Sequence, residues 1–401
     1  MRSYFSLSHL SAGFIAVLVG FTSSAAILFQ AASAVHASTA ELASWIFALG
    51  VGVSLSCIGF SLYYRMPILT AWSTPGAALL ASSLTGLHLS EAVGAFICSA
   101  LLIFLAGISG WFERFMARIP GELASAMLAG ILLHFGLNVF LALQDAQLMV
   151  LVMLAAYILG KRFYPRYVLL VVLLLGIAVA ALQGELRFQS IHWSFSGPVF
   201  TWPEFSWSVF FSVGLPLFII TMTSQNIPGL TVLRAEGFNP PVSRLVSIMG
   251  AGNLLMAPFG GFSLNLAAIT AAICANEEAD PDASRRYRAT MSAGLFYLMM
   301  GLFSATIVAL FSAFPSTLVL AVAGMAIFGT LASNLKEALD NDRQREAALL
   351  TFLVSASGLN FFGISAAFWG LLAGILSSLI IKQSSAGKSL LNEKDPELCN
   401  E

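Results

Sequence analysis

A short polar segment, TAWSTPGAA at 70–78, interrupts an apolar stretch of this chain of 401 residues. It predicts extended chain followed by the start of a helix, because Ser73 or Thr74 suits the N-cap position and Pro75 suits the first helical position. The first turn of a helix offers unpaired backbone N–H groups and the positive end of the helix dipole. The segment therefore predicts a place where an anion could bind.

A second polar segment, GGFSLN at 260–265, has the same character and leads into a predicted helix over 266–273. Ser263 or Asn265 would cap that helix. Two helix starts that face each other would bind an anion without a cationic side chain. The alternative is that both segments are ordinary Pro and Gly kinks that pack two helices together.

Polar side chains near the end of a further apolar stretch could complete such a site. Residues 221–229 read TMTSQNIPG, and Gln30 holds a comparable place in the first apolar stretch. Polar groups at membrane depth need a partner, so Ser224, Gln225 and Asn226 are candidates to hydrogen-bond a carboxylate. Alternatively, such side chains bridge helices or bond back to their own backbone.

Four further residues carry chemistry that suits a small aromatic acid and a proton. Trp72 and Phe262 adjoin the two polar segments and could hold an aromatic ring. Glu122 and His134 lie on one predicted helix and could carry a proton. The alternatives are a glutamate that stabilises the helix N-terminus and a histidine hydrogen-bonded between helices.

Nothing in the sequence indicates an enzyme, a cofactor or a metal site. A catalytic centre at membrane depth would need a nucleophile with a base or a metal cluster, and the chain has neither an H-E-x-x-H run nor an intramembrane pair of aspartates. The cysteines at positions 57, 98, 274 and 399 are too far apart in sequence to form a metal-binding motif.

The composition shows which elements must position these residues. Hydrophobic residues make up 58% of the chain and charged residues only 10%, whereas soluble domains have roughly 25% charged residues. The net charge of −1 gives no reason to expect nucleic acid as a partner. The chain is therefore predicted to be an integral membrane protein.

The apolar stretches predict about fourteen membrane passages, since a spanning helix needs about 20 apolar residues. Two of them are the interrupted segments 67–84 and 258–275. The continuous spans are predicted near 10–34, 40–61, 91–111, 120–140, 146–160, 166–183, 208–227, 241–257, 288–312, 316–333, 346–360 and 362–381. With the N-terminus inside, every Lys and Arg except Arg187 falls on the inner side, so both termini are predicted to be cytoplasmic.

Two sequence matches indicate an internal repeat. Residues 118–136 resemble residues 313–329, and residues 66–80 resemble residues 257–272, both with an offset of roughly half the chain. An odd number of passages in each half inverts the second half relative to the first. Inverted repeats are typical of secondary transporters, whose sites lie between discontinuous helices near the middle of the membrane.

Several runs resemble the benzoate/proton symporter (BenE) family of bacterial inner-membrane proteins, and the similarity extends over nearly the whole chain. The runs are GFTSSAAILFQAA (20–32), LTAWSTPGAALL (69–80), AMLAGILLHFGL (126–137), LPLFIITMTSQNIPG (215–229), AAITAAIC (267–274) and SAAFWGLLAG (365–374). The resemblance implies import of benzoate or a related aromatic acid together with protons. More distantly, the layout is similar to the uracil permease and to sulfate-type anion transporters.

Those proteins imply an all-α polytopic fold of two inverted repeats of about seven passages each, with core and gate domains and short strands at two broken helices. Carried over by position, the core comprises 1–111 and 207–313, the gate comprises 112–206 and 314–382, and 383–401 is a disordered cytoplasmic tail. Our hypothesis for the mechanism is an elevator-like movement of the core against the gate, and the sequence leaves open whether the protein is a homodimer.

The chain departs from the nucleobase transporters where they have glutamates, because it has Gln225 and Leu264 at those positions, with Asn265 adjacent. The loss of two negative charges suits an anionic substrate. The candidate substrate-binding residues are Trp72, Ser73, Thr74, Gly76, Ala77, Phe262, Ser263, Leu264, Asn265, Ser224, Gln225, Asn226 and Gln30. The expected partners are a small aromatic carboxylate, protons and membrane lipid, and the alternative function is an anion channel or exchanger of the same fold.

Overall fold

The computed structural model describes residues 5–110, 120–163, 165, 168–186, 195–267, 269–362, 364 and 366–394. Throughout these residues the chain is mainly helical, with two strands of three residues each. The elements in chain order are α1 Leu7–Ala34, α2 Thr39–Tyr64, β1 Thr70–Trp72, α3 Thr74–Ser83, α4 Leu89–Ile108, α5 Gly121–Asp145, α6 Gln147–Phe163, α7 Val168–Leu182, α8 Trp207–Ala235, α9 Val242–Met256, β2 Leu264–Leu266, α10 Ile269–Ala275, α11 Tyr287–Leu302, α12 Ser304–Ser312, α13 Ser316–Asp340, α14 Arg345–Ala356 and α15 Ala366–Lys394.

The described helices follow the predicted apolar spans closely. Six of them are long and apolar enough to cross a membrane, or up to eight if each of two bent pairs is one span. The bends are 41° within α1 and 66° between α11 and α12. These helices confirm a polytopic membrane protein, while the number of fourteen passages stays a prediction.

Local sequence sets the ends of these helices, as α2 illustrates. Its N-terminus is a capping box, in which the Glu41 N–H donates to Ser38 Oγ at 3.3 Å and the Ser38 N–H donates to the Glu41 carboxylate at 2.7 Å. The helix ends at Arg65, which adopts a left-handed conformation with φ of 54°. The chain then turns back toward the middle of the protein and forms β1.

The helices pack as two groups. In the first group, α2 packs along α11, α4 packs along α9, and α1 packs against α3 and α11. In the second group, α5 packs along α13 and α14, α14 along α15, and α6 along α7. Contacts of α1 with α13 and of α3 with α5 join the groups. The division into core and gate domains that the resemblance implies stays a prediction.

Glycines allow the closest helix approaches in the first group. A Cβ added at Gly50 of α2 would lie 2.7 Å from the Cα of Gly301 in α11. Small residues at such contacts let two backbones approach each other, which is how membrane helices gain packing without a hydrophobic driving force.

The last helix is longer than expected. The sequence predicts that regular structure ends at about residue 383, whereas α15 continues to Lys394. Residues 383–394 include no proline, and their serines, lysines and leucines are compatible with a helix. The final residues of the predicted tail, 395–401, lie outside the described part of the chain.

Candidate functional site

The first polar segment folds as its sequence predicts. Ser73 is the N-cap of α3, and its Oγ accepts a hydrogen bond from the Gly76 N–H at 2.9 Å. The helix begins at Thr74, so Pro75 occupies the second helical position rather than the first. Ser73 is fully buried, and its hydroxyl group is used to hold the helix start in place.

This cap leaves few donors for a ligand. Pro75 has no N–H, and the N–H groups of Gly76 and Ala77 donate to Oγ and O of Ser73 at 2.9 and 2.8 Å. Of the free backbone N–H groups predicted at the start of α3, only that of Thr74 has no partner among the described residues.

The second polar segment folds differently, and the predicted caps there are wrong. Ser263 Oγ lies 2.7 Å from Thr221 Oγ1, and Asn265 is in β2, where its Nδ2 donates to Ser263 O at 2.9 Å. The helix predicted over 266–273 begins only at Ile269 in α10. Ser263 and Asn265 therefore do not cap it.

Pairing with a distant strand explains this difference. β1 and β2 are antiparallel, with Thr70 opposite Leu266 and Trp72 opposite Leu264. Backbone bonds from Ser73 N to Ser263 O (3.1 Å) and from Ala267 N to Leu69 O (2.9 Å) extend the ladder at both ends. Each strand pairs polar backbone groups of the other. The two short strands that the family resemblance implies are therefore present.

Side chains from neighbouring helices occupy the outer edge of β2. Asn226 Oδ1 of α8 accepts from the Leu266 N–H at 2.9 Å. Asn253 of α9 accepts from the Leu264 N–H at 2.6 Å and donates to the Leu264 carbonyl at 3.0 Å. An open sheet edge inside a membrane would leave polar groups unpaired. The structure thus gives Asn226 an architectural role, and it adds Asn253, which the sequence analysis missed.

The outer edge of β1 is covered by α2. The Thr70 N–H donates to Cys57 Sγ at 3.3 Å, and Thr70 Oγ1 lies 2.5 Å from Ser56 Oγ. The small sheet is therefore enclosed on both edges by protein side chains.

A cavity of about 590 Å³ lies beside the sheet, between the two helix groups. Four predicted binding residues line it, namely Trp72, Thr74, Ser224 and Gln225. The last two lie in a π-helical turn of α8, Met222–Asn226, and such turns are frequent at functional sites.

The other predicted binding residues do not line this cavity. Phe262 packs against Trp45 and Phe96, with ring centres 6.3 and 5.8 Å apart, so it and Trp72 are not brought together around one ligand. Asn265 is fully buried, and its Oδ1 has no hydrogen-bond partner within the described residues. The remaining members outside the cavity lining are Ser73, Gly76, Ala77, Ser263, Leu264, Asn226 and Gln30.

The indole of Trp72 is fixed in one orientation at the cavity. Its Nε1 donates to Ser24 Oγ at 2.9 Å. The rings of Tyr297 and Phe21 meet it edge to face, with centres 5.8 and 6.3 Å away. Aromatic pairs favour this geometry, and the arrangement holds one aromatic wall ready for an apolar ligand.

The cavity also has polar residues that the sequence analysis missed. Lys161 and Glu337 are the charged residues of its described lining, and Tyr157, Thr270 and Tyr297 line it too. Lys161 lies in the last turn of α6, with Nζ 5.7 Å from the centre of the Tyr157 ring. The sequence shows Lys161 as part of a Lys-Arg pair, but such a pair by itself indicates only the cytoplasmic end of a span.

The two proton-carrier candidates lie outside the cavity lining. Glu122, in the first turn of α5, accepts a hydrogen bond from Asn341 Nδ2 at 2.8 Å. His134 Nε2 lies 2.8 Å from the Ala356 carbonyl, which joins the helix to the turn after α14. Both contacts match the structural alternatives for these residues, and a role in proton transfer stays a prediction.

The described residues bring together hydroxyl, amide and ammonium donors around an aromatic wall, and they contain no cluster of three His, Cys, Asp or Glu side chains that could hold a metal. Such a lining suits a small organic anion with an apolar part.

Solved structures share this fold. The overall structure of SLC26A9 superposes with a TM-score of 0.62 at 11% identity, covering 92% of this chain and 64% of that one. The transmembrane domain of the cyanobacterial bicarbonate transporter BicA superposes with a TM-score of 0.55 at 12% identity, covering 92% of this chain and 97% of that one. The chain thus spans about two thirds of the length of SLC26A9.

Sequence relatives cover nearly the entire chain. "Inner membrane protein YdcO" of Escherichia coli (strain K12) is 46% identical over 365 residues, which is 91% of this chain and 93% of the relative. "Benzoate membrane transport protein" of Acinetobacter baylyi is 40% identical over 386 residues, which is 96% of this chain and 98% of the relative. The family described as "Benzoate membrane transport protein" matches residues 3–380. The chain therefore belongs to this family, whose members are multi-pass transporters and not enzymes.

Proposed function

We propose that this protein imports benzoate or a related aromatic carboxylate together with protons. The observation that carries the proposal is the cavity between the two helix groups, with Trp72 fixed on one wall and Lys161 at its rim. A relative that is 40% identical over most of the chain is named a benzoate membrane transport protein. The cavity volume of about 590 Å³ is ample for a benzene ring with one carboxylate.

In the proposed binding mode, the carboxylate lies at the start of α3, against the Thr74 N–H and hydroxyl and the Gln225 amide. The dipole of α3 favours an anion there, and the charge of Lys161 at the rim attracts anions toward the cavity. The ring lies against Trp72 and Tyr297. The predicted contribution of a second helix start is replaced by side chains of α8, because the second polar segment runs into β2 and α10 begins only at Ile269.

For proton coupling we propose Glu337, in addition to Glu122 and His134. Glu337 is the carboxylate that lines the cavity, so a change in its charge would be felt by a bound anion. Protonation of Glu337 would remove a like charge from the path of the substrate. Asn265 does not titrate, but its Oδ1, which has no partner among the described residues, could accept a hydrogen bond close to the site.

We further propose that transport follows an elevator-like movement of a core (1–111 and 207–313) against a gate (112–206 and 314–382). The cavity lies between these two groups of helices, which supports such a movement. The antiparallel pairing of the two matched segments supports two inverted repeats within about fourteen passages. We place the protein in the bacterial inner membrane with both termini in the cytoplasm, and a homodimer is part of the proposal.

An anion channel or exchanger is the second candidate function. It is favoured by the fold, because the structural neighbour SLC26A9 is described as an anion transporter and BicA as a bicarbonate transporter. Binding of an anion by helix dipoles and hydroxyl groups does not by itself require a proton.

Uptake of radiolabelled benzoate into proteoliposomes, with and without an inward proton gradient, tests both candidates. Salicylate, uracil and sulfate serve as competitors. Gradient-driven uptake that only aromatic acids inhibit supports the symporter, and uptake indifferent to the gradient supports the exchanger or channel. In the same assay, Glu337→Gln should abolish the gradient dependence while benzoate exchange persists, and Glu346→Gln, outside the cavity, is the matched control.

A further inference from the structure

A second cavity, of about 730 Å³, lies on the outside of the first helix group and is separate from the candidate site. It is a groove between α2 and α9, and on α2 its lining extends from Phe47 to Tyr64. At about 1.5 Å per residue this is a length of about 26 Å. The hydrocarbon core of a bilayer is about 30 Å thick, so the groove follows most of that depth.

The groove is apolar and open to the outside of the protein. Leu55 on α2 and Leu255 on α9 line it with 66% and 76% of their surfaces exposed. Gly59 leaves room on the α2 side, since a Cβ added there would meet nothing within 4 Å. In a membrane, hydrocarbon chains must fill such a space.

One end of the groove has a different character. Arg244, in the first turn of α9, is the charged residue of the lining and makes no ion pair within the described residues. Tyr63 and Tyr64, at the end of α2, lie at the same end. Arginine with tyrosines is typical of the cytoplasmic membrane interface, and an unpaired guanidinium there suits a phosphate group.

We propose that this groove is a binding site for one anionic phospholipid of the inner leaflet. Its phosphate binds Arg244 and the tyrosine hydroxyl groups, and one acyl chain lies along Gly59 and Leu55. The length and apolar lining of the groove fit an acyl chain, and the position of its only described charge fits a headgroup.

The floor of the groove connects this lipid to the candidate site. Ser56 and Leu264 line the groove; Ser56 hydrogen-bonds Thr70 of β1, and Leu264 belongs to β2. The acyl chain therefore packs against the back of the small sheet, whose residues Ala71 and Trp72 line the first cavity. Lipid in the groove supports the sheet from the side opposite the substrate.

Native mass spectrometry of the purified full-length protein, titrated with phosphatidylglycerol or phosphatidylcholine, tests the site. We expect one phosphatidylglycerol per protomer to bind well above the level of phosphatidylcholine. Gly59→Leu should weaken binding of both lipids at this site at least tenfold, because the side chain fills the groove. Arg244→Gln should weaken binding of phosphatidylglycerol about fivefold and binding of phosphatidylcholine less, because both lipids carry a phosphate but only phosphatidylglycerol has a net negative charge.

Two control variants separate the groove from general effects. Leu62→Phe adds bulk to the exposed surface of α2 outside the groove, and Arg234→Gln removes a cytoplasmic arginine elsewhere. Both should bind lipid like the wild type. Equal binding of the two lipids by the wild type would overturn the proposal. It would also be overturned if Gly59→Leu lost a dimer and kept its lipid, because the groove would then be a contact between two copies of the protein. If Gly59→Leu does not fold, the comparison of Arg244→Gln with Arg234→Gln decides the result alone.

Discussion

Asn253 shows how one residue can hold a site without touching its ligand. It stands in an apolar helix, is fully buried, and pairs both backbone groups of Leu264. A lone asparagine at membrane depth is a signal that the sequence offers, but its partner is 11 residues away on a strand whose existence depends on a third segment. The residue type was therefore visible and its role was not.

Asn253→Leu should destabilise the protein strongly. The change leaves the N–H and carbonyl groups of Leu264 unpaired, and each such group costs about 1–3 kcal/mol. We expect the free energy of unfolding to fall by about 2–6 kcal/mol, measured by denaturant titration in detergent micelles. Ser247→Ala is the matched control, because Ser247 is on the same helix and, among the described residues, its hydroxyl group donates to the backbone carbonyl of Ser243 alone. An unchanged stability for Asn253→Leu would contradict the role of this side chain in the sheet.

Lys161 is the residue at which charge should matter for substrate capture. Lys161→Gln should raise the KM for benzoate uptake about two- to fivefold at low ionic strength, and high salt should reduce the difference because exposed charges are screened. Arg162→Gln is the control, since the neighbouring arginine does not line the cavity. The same KM increase in both variants would mean a general surface effect.

At the scale of elements, the close contact between α8 and β2 is the most sensitive part of the site. A Cβ at Gly229 of α8 would lie 2.7 Å from the Leu266 Cβ and 2.8 Å from the Ala267 carbonyl. These atoms belong to the strand and the backbone after it, so they cannot move aside without disturbing the sheet.

Gly229→Ala should therefore destabilise the protein by about 1–3 kcal/mol, the usual cost of overpacking, and should lower benzoate binding. Gly59→Ala is the matched control, because both positions are helical and only the second has open space around it. Alanine at Gly59 should be neutral or stabilising by up to about 1 kcal/mol. Binding and thermal unfolding measured on both variants check the prediction, and equal effects would show that the contact is looser than the structure indicates.

The sequence predicts the elements of this protein unevenly. Long apolar spans such as α2 and α5 are evident because hydropathy is a local property of the chain. The start of α3 is also local, since Ser73 caps a turn three residues long. The segment 263–267 differs, because Leu264–Leu266 becomes a strand only through pairing with Thr70–Trp72, about 190 residues earlier. No local pattern reports that pairing, so the predicted helix start was wrong there.

The same limit applies to the site. Four predicted residues line the cavity, namely Trp72, Thr74, Ser224 and Gln225. They could be predicted because their segments carry breaks or polar runs that are visible in the sequence. Lys161 and Glu337 come from the second helix group, and only packing of the two groups brings them to the same space. The sequence shows which polar residues each segment contributes, but it does not show which segments face each other across the cavity.

At the scale of the whole molecule, the cavity extends from the small sheet toward one end of the helices. Its lining extends from Trp72, beside the sheet, to Lys161 and Glu337 near the ends of α6 and α13. The distribution of basic residues predicts that these helix ends are cytoplasmic. With this orientation, we propose that the structure is an inward-facing state, in which the site between the two groups of helices opens toward the cytoplasm.

Cysteine labelling from each side of the membrane measures this direction. Ser333→Cys, in the cavity lining on α13, should react with a membrane-impermeant thiol reagent in inside-out vesicles and not in right-side-out vesicles. Phe205→Cys, exposed just before α8 and predicted to be outside, should show the opposite preference. Benzoate should slow labelling at Ser333→Cys and not at Phe205→Cys, because substrate occupies the cavity or shifts the protein toward an outward-facing state. Labelling of Ser333→Cys at equal rates from both sides, unaffected by benzoate, would instead indicate a continuous pore and favour the channel over the elevator.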